Sequence, residues 1–451
     1  MVTSTPHNPP VYDLVGVGFG PSNVALAIAL QEARDHAAGT TAATLSGVFL
    51  ERQAEFGWHR GMLLNDATMQ VSFLKDLVTT RDPASDFSFL AYLHQVGRLH
   101  DFINHKTLFP LRTEFHDYLA WCASRVEGQV RYSHEVTSVE PVRDAAGRVA
   151  LLDVVARDAA GALTRHRARN VVLAPGLLPH LPGGRTESAR VWHSEHLLHR
   201  IAALEPAAEP RSFVVVGAGQ SAAEAAAHLY DRFPDAEINT VFARYGYSPS
   251  DDSSFANRIF DPEAVDAFFT APEDVKTEIL EYHRNTNYSV VDPDLIEELY
   301  RKHYADRVRG VERLRQHNTS RVAAVEEHDS GVTVTVEDLT SGKQTPLYAD
   351  HVIYATGYRP ADPRDLLGEL AQRCLTDTAG RPVIQRDYRM ATTDEVTCGI
   401  YSQGGTEHTH GLSATLLSNV AVRVGEILDS ISARTAPVSD APAASHVAAP
   451  H

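Results

Sequence analysis

Two glycine turns, Gly18-Phe19-Gly20-Pro21-Ser22-Asn23 and Gly217-Ala218-Gly219-Gln220-Ser221-Ala222, constrain this chain more than any other feature. Each follows a short apolar run, Tyr12 to Val17 and Phe213 to Val216, and each opens an alanine-rich stretch of helical character. Strand, tight turn and helix form the setting in which such a motif cradles a pyrophosphate. The glycines let the backbone come close, and the helix N-terminus offers unpaired N–H groups to negative charge. One imperfect turn would say little, because Asn23 replaces the third glycine in the first and Ala222 replaces it in the second. Two such turns in order predict an α/β protein with two Rossmann-like dinucleotide-binding domains, one for a flavin and one for a nicotinamide cofactor.

After the first turn and its helix, Ser22 to Glu32, the Ala/Gly/Thr-rich stretch Ala33 to Thr44 reads as a loop leading to a strand over Leu45 to Leu50, which completes a βαβ unit. The segment Met62 to Asp117 is rich in aromatics and short breaks, and Val136 to Arg167 turns to alternating strands. Asn170 to Gly176 and His351 to Tyr358 are matching strand-to-glycine elements. Paired in this way they mark passages between two lobes, so the second domain is expected to be inserted into the first. The tail Thr435 to His451 is Ala/Pro/Ser-rich and is expected to be disordered.

With 451 residues and 43% apolar content, the chain can bury a large core divided into two or three lobes. A net charge of -17 argues against nucleic acid or an anionic membrane as partner. The sequence has no run of about 18 apolar residues, and Met1 to Pro10 lacks a basic stretch followed by an apolar one, so a cytoplasmic protein is expected. Cys122, Cys374 and Cys398 lie far apart and read as packing residues. No metal is expected: Glu407-His408-Thr409-His410 has no second ligand group, and Asp251-Asp252 sit among hydroxyls that suit a turn.

In a dinucleotide site the strand after the turn usually ends in an acid that bonds the ribose hydroxyls. Glu51 fills that place, farther from Gly18 than usual by the length of the intervening loop; the alternative is a solvated strand-end carboxylate. The run Ile238 to Arg244 after the second turn ends instead in a cation. Arg244 suits a 2′-phosphate and favours NADPH over NADH, unless it merely lies on the surface.

Further segments carry a more specific signal: Met69-Gln70-Val71-Ser72-Phe73-Leu74-Lys75-Asp76-Leu77, Asp251-Asp252-Ser253-Ser254-Phe255-Ala256-Asn257, Asn285-Thr286-Asn287-Tyr288-Ser289-Val290-Val291 and Thr409-His410-Gly411-Leu412-Ser413. Through these and the first turn, the chain from Tyr12 to Ile431 resembles the flavin-dependent N-hydroxylating monooxygenases, specifically the bacterial and fungal L-ornithine N5-monooxygenases of siderophore and related biosynthesis. The resemblance implies that NADPH reduces FAD, that O2 adds to the reduced flavin as a C4a-hydroperoxide, and that the terminal amine of L-ornithine takes the distal oxygen. It implies an FAD-binding domain over 1–180 and 346–434, an NADPH-binding domain over 181–250 and 301–345, and a small, mainly helical substrate region over 251–300. It also implies a homotetramer.

The reaction needs a neutral amine, whereas an alkylamine has a reference pKa of about 10.4, which a low-dielectric pocket lowers. Selectivity must then come from the amino-acid end. By resemblance, Lys75 pairs with the carboxylate, and Asn257 and Asn287 give and accept hydrogen bonds without adding charge. A surface lysine and turn-capping asparagines are the alternatives, with Asn285 the rival of Asn287 in register. Thr415 stands where relatives often place a substrate-contacting serine. Gln70 matches a glutamine beside the flavin ring, or else is a polar residue at a strand edge.

The resemblance also gives the cofactor contacts. On the flavin side these are Gly18, Gly20, Pro21, Ser22, Asn23, Glu51, Arg52, Trp58, His59, Leu412, Ser413 and Ala414, although Trp58 suits a core position equally well. Gly217, Gly219, Gln220, Ser221, Ala222 and Arg244 fall to the nicotinamide cofactor, and Val136, Asn287, Tyr288, Thr356 and Gly357 complete the set. The family's 2′-phosphate arginine aligns with Ala243, one residue before Arg244.

Lysine or a diamine such as putrescine or cadaverine is the nearest alternative substrate. One methylene is worth only about 1–3 kcal/mol, but a diamine would leave Lys75 without an anionic partner. A flavoprotein NAD(P)H reductase without monooxygenase activity is the alternative from another class; a disulfide reductase would need a Cys-x-x-Cys pair, which the sequence lacks.

Overall fold

The computed structural model describes residues 10–37, 44–204, 209–283, 286 and 288–435. The tail beyond residue 435 lies outside the described residues.

The first sheet runs in the order β3-β2-β1-β6-β5-β4, formed by β1 (Val11–Val17), β2 (Gly47–Leu50), β3 (Val130–Arg131), β4 (Glu135–Arg143), β5 (Val149–Arg157) and β6 (Leu163–Leu173). Strands β1, β2, β3 and β6 are parallel where they pair, while β4 and β5 join antiparallel. The long β6 pairs with β5 along its first half and then, from Asn170 to Leu173, with the late strand β17 (Gly399–Ser402) in parallel. The last four residues of β1 are buried, as expected for a central strand covered on both faces.

Helix α1 spans Pro21–Ala37 and is buried continuously from Asn23 to Leu30. It lies against the C-terminal helix Val420–Thr435 and against α4 (Arg112–Arg125), so nearly its whole circumference is covered. The helix outlasts the sequence reading, which ended it at Glu32. Ala33 to Ala37 continue it, because they contain no glycine, proline or β-branched residue. Arg34 Nε donates to Leu45 O at 2.8 Å and ties this last turn to the following strand. Residues 38–43 of the expected loop lie outside the described residues.

The aromatic stretch after residue 62 forms α2 (Phe89–Gln95), α3 (Leu99–His105) and α4. Phe89 is their hub, with ring centroids 5.6 Å from Phe102, 5.8 Å from Phe115 and 5.4 Å from Tyr118. Each such pair adds to area burial by about 0.5–1.5 kcal/mol.

The second sheet is wholly parallel, in the order β11-β10-β9-β15-β8. Its strands are β8 (Val191–His193), β9 (Ser212–Val216), β10 (Glu237–Val241), β11 (Leu314–His317) and β15 (His351–Tyr354). Short α5 (Leu197–Ala202) follows β8, and α6 (Gln220–Arg232) follows β9. Ala222, Ala223, Ala225 and Ala226 of α6 are fully buried; their small side chains let the helix approach the strands closely. A three-stranded meander, β12 (Ser320–His328), β13 (Gly331–Asp338) and β14 (Gln344–Ala349), extends this lobe. Residues 251–300, expected as a substrate region, carry α7 (Pro262–Thr270), α8 (Glu273–Tyr282) and the start of the helix Pro293–Val308, which runs on past residue 300.

All strands of the second sheet fall between β6 and β17 of the first, which is the insertion expected from the paired strand-to-glycine elements. The two passages form one antiparallel ribbon, β7 (Leu177–Pro179) with β16 (Tyr358–Pro360), in which Leu178 faces Arg359.

Candidate active site

The two glycine turns are built alike. Gly18 has φ +82°, and a Cβ there would lie 2.4 Å from Ala174 O; Gly217 has φ +140°, and a Cβ would lie 2.3 Å from Ala355 O. Each turn thus presses against the carbonyl of a residue just before a lobe passage, where only glycine fits. Gly20, in contrast, faces open space, with nothing within 4 Å of a Cβ. The outer side of the first turn is therefore clear for a pyrophosphate at the N-terminus of α1, and the residues present fit FAD.

Asn23 takes over the work of the missing third glycine. It is fully buried, and its Nδ2 donates to Gly18 O at 2.7 Å and Val17 O at 3.2 Å, holding the turn from inside. Glu51 is buried at the end of β2 rather than solvated. Its Oε2 accepts from Phe19 N–H at 2.6 Å and its Oε1 from Gln53 N–H at 2.9 Å, which fixes the carboxylate beside the turn. Pro21 and Ser22 begin α1, Arg52 is exposed, and Val136 is a partly buried residue of β4.

Trp58 and His59 lie before the 3-10 turn Arg60–Met62. Trp58 borders the main core, 6.2 Å from Phe115. His59 adopts a left-handed backbone, φ +50°, with its ring edge-on to Trp58 at 4.6 Å and to Tyr358 at 6.1 Å. His59 keeps solvent exposure although its ring packs against these two aromatics. Desolvation and the charge of Arg112 hold it below the usual histidine range, which keeps it neutral.

The second turn is roofed by the segment around Ser289. A Cβ on Gly219 would come 3.3 Å from Ser289 Cα, and Arg244 Nη1 donates to Ser289 O at 2.8 Å. Gln220 uses both ends of its amide inside the protein: Nε2 donates to Glu224 Oε1 at 2.9 Å, and Oε1 accepts from Asp292 N–H at 2.8 Å. Ser221 and buried Ala222 follow in the first turn of α6. Tyr288 OH donates to Glu407 Oε2, which ties the same segment to the flavin lobe. Thr356 Oγ1 donates to His180 O at 2.5 Å, and Gly357 O accepts from His180 N–H at 3.0 Å, so both belong to the lobe passage.

Lys75 is set by its neighbour. Asp76 is buried and accepts four hydrogen bonds, from Val78 N–H, Thr79 N–H, Thr79 Oγ1 and Phe89 N–H, at 2.7–3.0 Å. That knot fixes the bend on which Lys75 sits. Its ammonium lies 5.6 Å from the centroid of Phe260, in the turn Ala256–Phe260 that also carries Asn257. Half-burial lowers the Lys75 pKa by desolvation, while Asp261 opposes the fall. Asn257 Nδ2 donates to Asp252 O at 2.7 Å. Its turn adjoins the turn Leu412–Thr415, in which Leu412, Ser413 and Ala414 are buried and Thr415 is half-buried. Exposed Gln70 precedes Lys75 on the same segment. The structure thus gathers Lys75, Asn257 and Thr415 on neighbouring elements, whereas Asn285 and Asn287 lie outside the described residues.

Two features escape sequence reasoning. Arg112 pairs with Glu224 across the lobes, and Arg423 is buried beside the first turn. The second had a signal, since Arg423 falls in the apolar run Val420 to Val424 at a spacing that places it on the buried face. Among the described residues no helix is long and apolar enough to cross a membrane. Glu407, His408 and His410 bond to separate partners, Tyr288, Pro382 O and Arg386 O.

The family described as L-lysine 6-monooxygenase/L-ornithine 5-monooxygenase matches residues 10–360. The L-ornithine N(5)-monooxygenase of Burkholderia cepacia is 43% identical over 406 residues, covering 89% of this chain and 90% of its own length. The ornithine N-hydroxylase of Kutzneria sp. 744, in a structure with reduced FAD, NADP+ and L-ornithine, superposes with a TM-score of 0.90 at 46% identity, over 95% of this chain and 100% of that one. The ornithine hydroxylase of Pseudomonas aeruginosa gives a TM-score of 0.87 at 39% identity, over 94% and 100%. By sequence and by fold, this chain belongs to the L-lysine 6-monooxygenase/L-ornithine 5-monooxygenase family.

Proposed function

We propose that the protein is an L-ornithine N5-monooxygenase, which uses NADPH, FAD and O2 to convert L-ornithine to N5-hydroxyornithine. The observation that carries this reading is the match over nearly the whole chain to ornithine hydroxylases, one of them solved with both cofactors and L-ornithine.

FAD, once bound and reduced by NADPH, supplies the oxygen chemistry. The chain's own residues bind, orient and exclude water. Lys75 is the counter-charge for the α-carboxylate: half-buried, it attracts an anion through a medium less screening than water. Asn257, from the adjoining turn, orients the amino-acid end by hydrogen bonding, with Asn287 as its counterpart. Thr415 offers a hydroxyl from the flavin strip. The far amine then reaches a region that favours its neutral form through desolvation. Gln70 serves beside the flavin ring, Arg244 at the 2′-phosphate and Glu51 at the ribose of FAD.

The product serves siderophore or related secondary-metabolite biosynthesis. Assembly as a homotetramer and a cytoplasmic location belong to the same reading. The three cysteines are free and buried, which suits a reducing compartment.

The test supplies NADPH, FAD and oxygen with L-ornithine, L-lysine or putrescine in parallel, and measures hydroxylated amine rather than NADPH loss. N5-hydroxyornithine as the dominant product is expected. Preference for lysine or putrescine, or NADPH oxidation without any hydroxylated product, would overturn the assignment.

A further inference from the structure

Arg423 sits on the inner face of the C-terminal helix and is only 3% exposed. Its three bonds all go to neutral oxygens: Nη1 donates to Ala414 O at 2.6 Å, Nη2 to Ser22 Oγ at 3.1 Å and Nε to Gln403 Oε1 at 3.4 Å. Glu426, the nearest carboxylate along the helix, is paired with Arg386 through two contacts of 2.7 and 2.8 Å and acts on Arg423 only through space, which does not offset the desolvation of the guanidinium. Among the described residues no ion pair involves Arg423. A buried guanidinium with only neutral acceptors is costly unless a negative charge completes its surroundings.

The network around it leads to the first glycine turn. Gln403 Nε2 donates to Asn23 Oδ1 at 2.9 Å, and Asn23 in turn grips Gly18 O. Ser22 is the pivotal contact. Its oxygen accepts from Arg423, so its own proton is left to donate elsewhere. It stands in the first turn of α1, next to the open space beside Gly20.

We propose that Arg423 is a positioning residue for the FAD pyrophosphate. It fixes the Ser22 hydroxyl as a donor to the diphosphate, and the diphosphate is the counter-charge that the buried guanidinium lacks. Through Ala414 O, the same side chain locks the strip Leu412–Thr415 onto the turn, so binding of the diphosphate orders the adjoining wall of the site. This inference rests on the first turn being the FAD site.

The test compares the full-length protein with R423M, R423K, S22A and R423M/S22A. It reads the FAD dissociation constant by flavin fluorescence and the melting temperature with and without FAD. R423M is expected to weaken FAD about ten- to hundredfold, the range of a charge-assisted hydrogen bond. The FAD-free R423M should melt no lower than the FAD-free unaltered protein, because an uncompensated buried charge is gone. R423M/S22A should bind FAD no more weakly than R423M, since both act on one contact. Unchanged FAD affinity, additive losses, or equal loss of melting temperature with and without FAD would overturn the proposal. If R423M does not fold, S22A must weaken FAD and the further variant R423K/S22A must bind it no more weakly than S22A; otherwise the proposal fails. Failure of the unaltered protein to retain FAD would overturn the site assignment as well, whereas tight binding in every variant overturns only the role of Arg423.

Discussion

Arg112 of α4 and Glu224 of α6 meet across the boundary between the two lobes, with Nη1 and Nη2 each donating to one carboxylate oxygen at 2.8 and 2.7 Å. Arg112 also donates to Met62 O at 3.0 Å, and Glu224 accepts from Gln220, which opens α6 within the second glycine turn. The pair therefore fixes the nicotinamide turn against the flavin lobe. Arg112→Ala strands a nearly buried carboxylate and should lower stability by about 3–5 kcal/mol; Glu224→Gln in the same background should recover part of that loss. Denaturant unfolding measures both. Rapid mixing should also show slower flavin reduction by NADPH in Arg112→Ala, and an unchanged rate would separate the pair from hydride transfer.

Lys75→Ala should raise the ornithine KM by about ten- to hundredfold, the loss of one charge-assisted contact. NADPH oxidation should persist, since neither glycine turn is touched. Steady-state product formation against ornithine concentration checks this, and an unchanged KM would remove Lys75 from the substrate site.

Gln70→Ala should divert oxygen to hydrogen peroxide and lower the hydroxylated product formed per NADPH, with little change in ornithine KM. The measurement is the ratio of peroxide to hydroxylated amine. Full coupling in the variant would place Gln70 away from the flavin ring.

Stability should fall as the medium is acidified. His410 is buried against Tyr388, with ring centroids 4.1 Å apart, and desolvation brings its pKa down from 6.5 to about 4. Between those values the unfolded chain binds a proton that the folded chain refuses. The stabilisation is thus complete above pH 6.5 and drains away as pH falls towards 4, with a slope of up to about 1.4 kcal/mol per pH unit. His351, also lowered to about 4 by desolvation, contributes in parallel. His410→Gln should reduce the slope without abolishing it, as read by unfolding free energies at several pH values. An identical slope would mean that His410 titrates normally.

What the sequence made legible was local or repeated. The turns at Gly18 and Gly217, the βαβ unit around α1 and the twin passages at Gly176 and Gly357 each follow from a few adjacent residues whose backbone options are narrow. Contacts between distant segments were not legible. Ser22 meets Arg423, Arg112 meets Glu224 and Tyr288 meets Glu407 only because whole sheets and helices dock, and no local pattern encodes those distances. The end of α1 was misjudged for a smaller reason. Ala33, Arg34 and Ala37 favour a helix, and nothing in Ala33 to Ala37 breaks one, although a loop-like composition follows residue 37.

The ribbon of β7 and β16 gives the inserted lobe a property of its own. The chain leaves the flavin lobe at Leu177 and returns at Pro360, and these two residues face each other in one antiparallel pair, about 5 Å apart. Both covalent links to the inserted segment therefore run side by side through one ribbon. An exchanged segment would keep the strand order of the first sheet, but it would have to re-form the contacts of Arg112 with Glu224 and of Tyr288 with Glu407, and the turn that carries Asn257.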